Sequence, residues 1–389
     1  MITDQAIFPL VKLSDLVEIQ IGKTPSRDNP SFWGEGYTWV SISDLNGNKY
    51  ITNSKEQITH LGVQSSNIKS TKAGVLLFSY KLSIGKVAFA GKDLYTNEAI
   101  ASMIIKENVQ LLNDYFYFVM REFDFTGTSD KAAKGQTLNK AKLKELKIPL
   151  PPLETQKKIA AILDAADAYR QKTKALIEKY DELAQSLFLE MFGDPVKNEK
   201  GWEMKVIQDL IVEVKKIDKN FKHATIEYID ISSIDRKSNK ISSTNRHLLN
   251  ERPSRAQQVL RKGDIILSMV RPNLKNIAIN NTDNFIASTG FFVFRSVSLS
   301  THYLFELLKS DSVTNYLSGI TAGANYPAIK NSDIRTMKIP VPPFGIQNQF
   351  AQRIQEIESQ KALAKKAMKK SEELFNSLLQ KAFNGTLLK

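Results

Sequence analysis

An internal duplication governs the architecture open to this chain. Residues 147–153 read KIPLPPL and residues 338–344 read KIPVPPF, an offset of 191 residues. Gln156 matches Gln347, and the similarity continues without a gap over more than 40 residues. A repeat of this length indicates repeated structural units, so we expect a variable domain and a constant segment to alternate twice.

The two variable segments are related more loosely and carry short apolar runs. Residues 72–79 resemble residues 261–268 at an offset of 189. Turn residues bound the apolar runs, which is typical of short strands, and helical patterns lie between some of them. The predicted strands cover 38–43, 74–80, 86–90, 226–231, 264–270 and 291–295, and the predicted helices cover 111–122 and 302–317. We therefore predict two α+β domains of roughly 140 residues each.

Each constant segment begins with a proline cluster, which forces an extended entry, and continues as a long helical pattern. The helices should end at Gly193 and at Asn384-Gly385. Inward residues follow the alternating four- and three-residue spacing of a coiled coil over about five heptads, so the two helices are expected to pair antiparallel. The predicted seam comprises Ile159, Leu163, Ala166, Arg170, Ile177, Tyr180 and Leu187, and Phe350, Ile354, Ile357, Lys361, Met368, Phe375 and Leu378.

Two cations interrupt the apolar seam at the same repeat position, Arg170 and Lys361. An inward cation can fix helix register and orientation at some expense of stability. The alternative is that these long side chains extend along the apolar surface and keep their charges in water. The predicted boundaries are 1–147 and 194–338 for the domains, and 148–193 and 339–389 for the helical segments.

The charge balance favours a polyanionic partner. Lys and Arg total 54 against 41 Asp and Glu, a formal net charge of +13, and nucleic acid is the first candidate. A basic protein that is merely soluble is the alternative. The chain has no cysteine, which excludes disulfides and thiolate metal sites and fits a cytoplasmic location. It has no transmembrane-length apolar run, and its polar start is unlike a signal peptide, so no membrane association is expected.

Loops of the variable segments provide candidate DNA contacts. After the strand at 264–270, residues 271–276 offer an arginine suited to guanine and an asparagine suited to adenine. Their counterpart is 81–86, and similar polar loops precede both proline clusters; an ordinary solvated hairpin is the alternative for each. The candidates are Lys23, Arg27, Lys81, Lys86, Lys134 and Gln136, and Arg236, Lys237, Arg246, Arg252, Arg255, Arg271, Asn273, Lys275 and Asn325.

The sequence lacks the residues of an enzyme. Gly22-Lys23-Thr24 resembles the end of a phosphate-binding loop, but Val17 stands where the first glycine belongs. Residues 341–344 read VPPF, and Val341 cannot hydrogen-bond a target amino group as the polar residue of an adenine methyltransferase motif does. The four histidines have no metal-ligand spacing. We predict neither a catalytic residue nor a metal site.

Over essentially its full length, the chain resembles the DNA-specificity subunit of Type I restriction-modification systems. The resemblance rests on the order of motifs together with the duplication: GKTPSR at 22–27, WVSISDL at 39–45, GVLLFS at 74–79, TNE at 96–98, IPLPPL at 148–153, LFLEMFGD at 187–194 and IPVPP at 339–343. The second variable segment departs further from the family pattern, because it lacks the Thr-Pro-Ser and Trp-Gly marks.

The resemblance implies two pseudo-symmetric α+β target recognition domains separated by two long helices in an antiparallel coiled coil. It implies that each domain reads one half of a bipartite, asymmetric site in double-stranded DNA. It also implies that the helices set the gap and dock two adenine-N6 methyltransferase subunits that use S-adenosylmethionine. A motor-nuclease subunit that uses ATP and Mg can join, and the specificity chain itself binds no cofactor. Base-reading residues vary with the target within the family and are not implied.

Two alternatives remain open at the level of sequence. One is an orphan or phase-variable specificity cassette that supports methylation without cleavage. The other is a rod-shaped adaptor that joins two protein partners and binds no DNA. The heptads fit a DNA-reading subunit and an adaptor equally well, whereas the basic charge favours a DNA-reading subunit.

Overall fold

The computed structural model describes residues 8–123, 125, 130–132, 135–219, 221, 223–321 and 327–388. It divides into two compact units. Unit 1 consists of Met1–Thr173 and Ala367–Lys389, and unit 2 consists of Lys174–Lys366. Each unit therefore combines one variable segment with parts of both long helices.

Unit 1 is built on a five-stranded sheet in the order Val17–Ile21, Ile100–Ile105, Leu76–Ser79, Val87–Ala90, Tyr50–Ile51. A three-stranded sheet of Glu56–Ile58, Trp33–Val40 and Tyr95–Thr96 lies in the same unit. The remaining strands are Leu10–Lys12, Lys81–Leu82, Asp130–Ala132, Gly135–Thr137 and Lys147–Pro149, and the short helices are Leu13–Leu16, His60–Ser66, Asn113–Glu122 and Lys140–Glu145. The buried face of Asn113–Glu122 packs into the main core beside the central strands.

Unit 2 repeats the central part of this arrangement with fewer strands. Ile265–Ser268 lies between Ile277–Ile279 and Phe291–Phe294, antiparallel to both. A second sheet has the order Asn245–Leu248, Thr225–Ile229, Ile286–Ser288, Ala256–Val259. The other strands are Met204–Val206, Ile234–Asp235, Lys240–Ile241 and Lys338–Pro340, and the short helices are Thr301–Lys309, Asp311–Gly319 and Asn331–Thr336. The two units confirm the predicted α+β class.

The proline clusters form the expected extended entries. Lys147–Pro149 pairs antiparallel with Leu10–Lys12, and Lys338–Pro340 pairs in the same way with Met204–Val206. Proline lacks a backbone donor and is tolerated at the end of such a two-stranded pairing. The first strand of each variable segment is thereby joined to the strand that leads into the next helix.

The first long helix is Leu153–Phe192 and the second long helix is Phe344–Phe383. The first ends one residue before Gly193, which adopts a φ of +76° that favours glycine, so the predicted stop is confirmed. The second long helix ends just before Asn384-Gly385, as predicted.

Within unit 1 the helices run antiparallel. Phe383 lies beside Tyr115, whose hydroxyl donates to the Pro149 carbonyl before the first long helix. Phe375, two turns earlier on the second long helix, lies 4.5 Å from the Arg170 guanidinium, much further along the first. The order of contacts is therefore reversed, as an antiparallel pair requires.

The helices are also antiparallel within unit 2. Phe350 contacts Phe188 and Phe192, near the end of the first long helix. Lys361, three turns later, pairs with Asp181, which precedes Phe188. In both units the seam residues face inward. Ile159, Leu163, Leu187, Phe350, Ile354, Lys361 and Phe375 are buried, and Ala166, Arg170, Ile177, Tyr180, Ile357, Met368 and Leu378 are half-buried.

Equivalent buried glutamines attach each domain to its helix. The Gln156 amide donates to the carbonyls of Gln110 and Pro151 and accepts from the Leu112 amide, all at 2.8–2.9 Å. Gln347 accepts from Ser300 and donates to Pro342 at the same distances. Since a buried amide needs partners, these contacts hold the domain in one position on the start of its helix.

A second attachment uses equivalent lysines at an offset of 191. The Lys49 ammonium lies 2.8 Å from Asp114 and 2.6 Å from Asp164 of the first long helix. Burial lowers the pKa of Lys49, but these two carboxylates raise it by more. In unit 2, Lys240 lies 3.3 Å from Glu358 of the second long helix.

Several predicted elements have other bounds in the structure, and two of these differences have a local cause. The predicted helix 302–317 is two helices, because the Ser310 hydroxyl accepts from the Val313 amide and starts a new helix there. The predicted strand 38–43 ends at Val40. Asp44 accepts hydrogen bonds from the amide and hydroxyl of Ser41, and the chain turns into a short 3-10 helix.

Candidate nucleic-acid interface

In unit 1, two polar loops predicted separately lie next to each other. After the central strand Leu76–Ser79, the short strand Lys81–Leu82 pairs with Gly135–Thr137, with Leu82 opposite Gln136. Gly135–Thr137 pairs in turn with Asp130–Ala132. Lys134 lies outside the described residues, and only the backbone of Gln136 is described. The loop after the central strand and the segment before the proline cluster thus form one surface.

Unit 2 brings the corresponding loops together. The Arg271 amide donates to the Pro327 carbonyl at 2.8 Å, and the Ile329 amide donates to the Met269 carbonyl at 2.9 Å. Val270 and Ala328 form the bridge between these hydrogen bonds. Asn325 lies outside the described residues. In each unit, then, the same two loops lie together after the carboxyl end of the central strand.

The unit 2 loop has an unusual backbone. Arg271 and Lys275 adopt φ values of +51° and +50°, the left-handed region that side chains rarely occupy. Between them, Pro272–Leu274 forms a 3-10 turn with Pro272 buried. Asn273 and Arg271 are exposed. Non-glycine residues persist in this region only where the surroundings enforce it, and such positions cluster at binding sites.

Lys275 fixes the end of this loop. Its ammonium lies 2.5 Å from an Asp311 carboxylate oxygen, and its backbone carbonyl accepts a hydrogen bond from the side-chain amide of Asn239 at 3.0 Å. The hydrogen bond from Lys275 lowers the pKa of Asp311. Lys275 therefore positions the loop within the domain, in addition to carrying a positive charge near it.

The other candidate cations of unit 2 are spread over adjoining turns and strands. Arg236 and Lys237 are exposed in the turn between Ile234–Asp235 and Lys240–Ile241. Arg246 is exposed on Asn245–Leu248, with its guanidinium 3.8 Å from Glu227. Arg252 is half-buried and donates to the Leu249 carbonyl at 2.7 Å, whereas Arg255 is exposed in the following turn.

Four candidate cations of unit 1, those within the described residues, have partners within the domain. Lys23 donates to the carbonyls of Ser66 and Asn67 at the end of helix His60–Ser66. Arg27 forms a bidentate pair with Glu56, which raises the pKa of Arg27 and lowers that of Glu56.

The Arg27 guanidinium also lies 3.7 Å from the centre of the Trp33 ring, a cation–π contact that stabilises the fold as well as the charge. Lys86 donates to the Ile42 carbonyl at 3.3 Å, and the Lys81 ammonium lies 5.3 Å from the Tyr80 ring. These contacts give all four cations a positioning role in the domain.

Burial alters the pKa of three groups in the described domains. Burial raises the pKa of Tyr115 and Tyr303 far above the ordinary range, and each hydroxyl donates to a proline carbonyl. Burial lowers the pKa of His302, although Glu306 and Glu358 oppose this effect. Among the described residues, His, Asp and Glu form no group of three that could hold a metal ion. The described helices include none with the length and apolar character needed to cross a membrane.

Sequence reasoning did not select Leu82, although it is 55% exposed in the middle of a polar loop and has a φ of +64°. At the offset of 189 that relates the variable segments, Leu82 is the counterpart of Arg271. That alignment is the sequence signal for Leu82, but an expectation limited to polar DNA contacts does not include an apolar side chain.

Comparison with known proteins decides what these paired loops belong to. The family model described as "Type I restriction modification DNA specificity domain" matches the chain twice, over residues 8–179 and 199–373. This chain belongs to the Type I restriction-modification DNA specificity family. It is a Type I specificity subunit with two target recognition domains, and it is a DNA-recognition component rather than an enzyme, as the resemblance implied.

Relatives of this specificity subunit include two from Methanocaldococcus jannaschii. The MjaIX specificity subunit is 26% identical over 372 residues, covering 88% of this chain and 85% of that protein. The putative MjaX specificity subunit is 25% identical over 430 residues, covering 97% and 92%. The HindI specificity subunit of Haemophilus influenzae is 27% identical over 183 residues, covering 45% of this chain and 39% of that protein.

Solved structures show the same fold. The S subunit of a Type I restriction-modification system from M. genitalium matches with a TM-score of 0.55 and 14% identity, with 98% of both chains covered. A chain from a study of complex assembly and conformational transition of the Type I system matches with a TM-score of 0.58 and 18% identity, again with 98% of both covered.

Proposed function

We propose that this specificity subunit reads a bipartite, asymmetric site in double-stranded DNA, one half-site per target recognition domain, the domains being residues 1–147 and 194–338. The observation that carries the proposal is the pair of adjoining loops after the carboxyl end of the central strand, present once in each unit. Because the loops of unit 1 differ in sequence from those of unit 2, the two half-sites should differ. Cationic side chains around the loops supply phosphate contacts, and exposed loop side chains supply base contacts.

The two long helices are proposed to set the gap between the half-sites. Each has 40 residues, about 60 Å at 1.5 Å per residue, and each contributes residues to both units. The equivalent glutamine and lysine contacts of both units favour this role, because a fixed attachment of each domain to its helix is needed for a defined spacing.

We also propose that the helices dock two adenine-N6 methyltransferase subunits. Leu183 and Leu374, equivalent at an offset of 191, are 49% and 55% exposed on the long helices, one in unit 2 and one in unit 1. Because the two positions are equivalent in the duplication, a partner that binds one can bind the other, which favours two copies of one partner. S-adenosylmethionine, ATP and Mg would then act in partner subunits, including a motor-nuclease, and the complex would work in the cytoplasm.

The test is to co-produce the chain with its methyltransferase subunit and expose the complex to a random-sequence duplex library with S-adenosylmethionine. Adenine methylation at a split, asymmetric motif is expected. DNA binding should weaken steeply with salt, since phosphate contacts release counterions. Docking is tested by the double variant Leu183→Arg with Leu374→Arg, which should reduce co-purification of the methyltransferase. Glu356→Arg, at an exposed position of the second long helix, is the control and should not reduce it.

The outcomes separate the alternatives. A split motif without any nuclease partner would indicate a cassette that supports methylation only. Methylation at a continuous motif would contradict the bipartite reading. Absence of both DNA binding and methyltransferase co-purification would favour the adaptor and contradict the proposal.

A further inference from the structure

We infer that Leu82 and Arg271 are the equivalent specificity-determining residues of the two target recognition domains, with Leu82 reading a thymine methyl group and Arg271 reading guanine. The inference rests on the proposed function and deepens it. Its basis is a shared backbone device with two chemically different side chains.

The first observation is the backbone. Leu82 and Arg271 follow the central strand of their unit at the same distance and have φ values of +64° and +51°. Around Leu82 the Ser83 amide donates to the Lys81 carbonyl at 2.8 Å, a tight three-residue turn. Glycine adopts such angles without strain, whereas a residue with a side chain does so at a cost. Both units nevertheless carry a large side chain here.

The second observation is the clamp that enforces this geometry. Ser79 and Ser268 end the central strands, and both are buried. The Ser79 hydroxyl donates to the Ser83 carbonyl, and it accepts from the Lys86 amide at 3.0 Å. The Ser268 hydroxyl donates to the Val270 carbonyl at 3.0 Å. Equivalent buried serines thus hydrogen-bond to the backbone of the two turns.

The third observation is the second loop. Leu82 lies opposite Gln136 in the short sheet, and the Arg271 amide donates to the Pro327 carbonyl at 2.8 Å. The backbone on the inner side of each residue is therefore occupied by the neighbouring segment. Both side chains are exposed, Leu82 to 55%.

The chemistry of the side chains names the base. Leucine has no donor or acceptor, so base discrimination by Leu82 must come from an apolar contact, and the major groove offers the thymine methyl group. Arginine can donate two hydrogen bonds to O6 and N7 of guanine. The half-site read by domain 1 should therefore contain an A·T pair whose recognition depends on Leu82. The half-site read by domain 2 should contain a G·C pair whose recognition depends on Arg271.

Glycine substitutions test this without disturbing the loops. Leu82→Gly and Arg271→Gly remove the side chain at a φ that glycine favours, so folding should be retained. Asn67→Gly and Asn284→Gly are matched controls, since both asparagines are exposed at φ values of +48° and +65° in units 1 and 2. Leu82→Arg and Arg271→Leu exchange the chemistry of the two domains.

The measurement is the methylated motif of each full complex on the random duplex library, with a thermal melt of each chain. Leu82→Gly should lose the preference for one A·T pair in one half-site, and Arg271→Gly should lose about 5- to 150-fold preference for one G·C pair in the other. Leu82→Arg should change one position of the first half-site toward guanine. The controls should reproduce the wild-type motif.

Several results would overturn the inference. These are an unchanged motif for Leu82→Gly or Arg271→Gly, equal weakening on all sequences, a change in the half-site of the other domain, or a glycine variant that fails to fold. A wild-type complex that methylates no split motif would contradict the proposed function itself, which is a distinct result.

Discussion

At the scale of single residues, the duplication is visible in buried hydrogen bonds. Tyr115 donates to the Pro149 carbonyl at 2.9 Å, and Tyr303 donates to the Pro340 carbonyl at 2.7 Å. Both tyrosines are fully buried. Each hydroxyl therefore satisfies the carbonyl of the last residue in the strand before a long helix, at the point where the proline cluster removes backbone donors.

Tyr115→Phe and Tyr303→Phe should each lower the free energy of unfolding by about 1–2 kcal/mol, because each leaves a buried carbonyl without its donor. Denaturant unfolding of the full chain measures the effect. Tyr169→Phe is the control, since Tyr169 is 56% exposed on the first long helix and its loss should change little. A large effect for one buried tyrosine and none for the other would contradict their equivalence.

Residue roles were the least predictable part of the molecule. The charge of Lys23 predicts a DNA contact, whereas in the structure its ammonium donates to carbonyls 43 and 44 residues away. Lys275 pairs with Asp311 across 36 residues. Local patterns carry no information on such contacts, because they depend on which distant segments the fold brings together. The proposed roles of these residues toward DNA therefore stay predictions.

At the scale of elements, the sequence predicts the long helices well, but it does not predict the break in the shorter helical stretch 302–317. Proline clusters, heptad spacing and Gly193 are local signals, and they gave both the extended entries and the helix stop. The sequence pattern does not predict the helix break at Ser310, because residues 302–317 keep a continuous apolar spacing through it. A single capping serine outweighs periodicity there.

The seam cations also acquire a defined role. Lys361 is 5% exposed and pairs with Asp181 of the other helix and, at 3.6 Å, with Glu358. Arg170 pairs with Asp167 at 2.6 Å. The charge of Lys361 does not extend into water, so the structure favours the register-fixing reading of this residue.

Phe375→Ala should lower the free energy of unfolding by about 3–5 kcal/mol, because Phe375 is fully buried where the second long helix meets the core of unit 1. Its neighbour Leu374 is 55% exposed. Leu374→Ala is the matched control and should change stability by less than about 0.5 kcal/mol. Comparable losses in both variants would place the helix in a different rotation.

Acid should weaken unit 2 through Glu358. Burial raises the pKa of Glu358, but Lys361 and Lys240 lower it by more, so the folded value lies below the ordinary 4.5. Its contribution to stability is present above pH 4.5 and is lost as the pH falls through the folded value. Glu358→Gln should flatten the fall in melting temperature below pH 4.5, whereas Glu356→Gln, exposed on the same helix, should not. A parallel fall for Glu358→Gln and wild type would contradict this.

At the scale of the whole molecule, helix length becomes a testable spacing. Deleting 174–180 together with 364–370 removes one heptad from each helix, between the Arg170–Phe375 contact and the Asp181–Lys361 pair. Seven residues correspond to about 10 Å, or about three base pairs of DNA. The complex should keep both half-sites and shorten the gap by about that amount, as read from its methylated motif.

Deleting 174–180 alone should abolish methylation, because the seam then loses its register. A double deletion that retains activity with an unchanged gap would contradict the proposal that the helices set the spacing.

The division into units has a consequence for the order of synthesis. Unit 2 is one continuous stretch, Lys174–Lys366, whereas unit 1 needs Ala367–Lys389 to be complete. Phe375, Leu379 and Phe383 belong to the core that also contains Leu13 and Phe78. On the ribosome, domains usually close in the order in which they emerge. The second long helix contributes its earlier part to unit 2 and its later part to unit 1. We therefore expect the residues of the second recognition domain to be complete before those of the first.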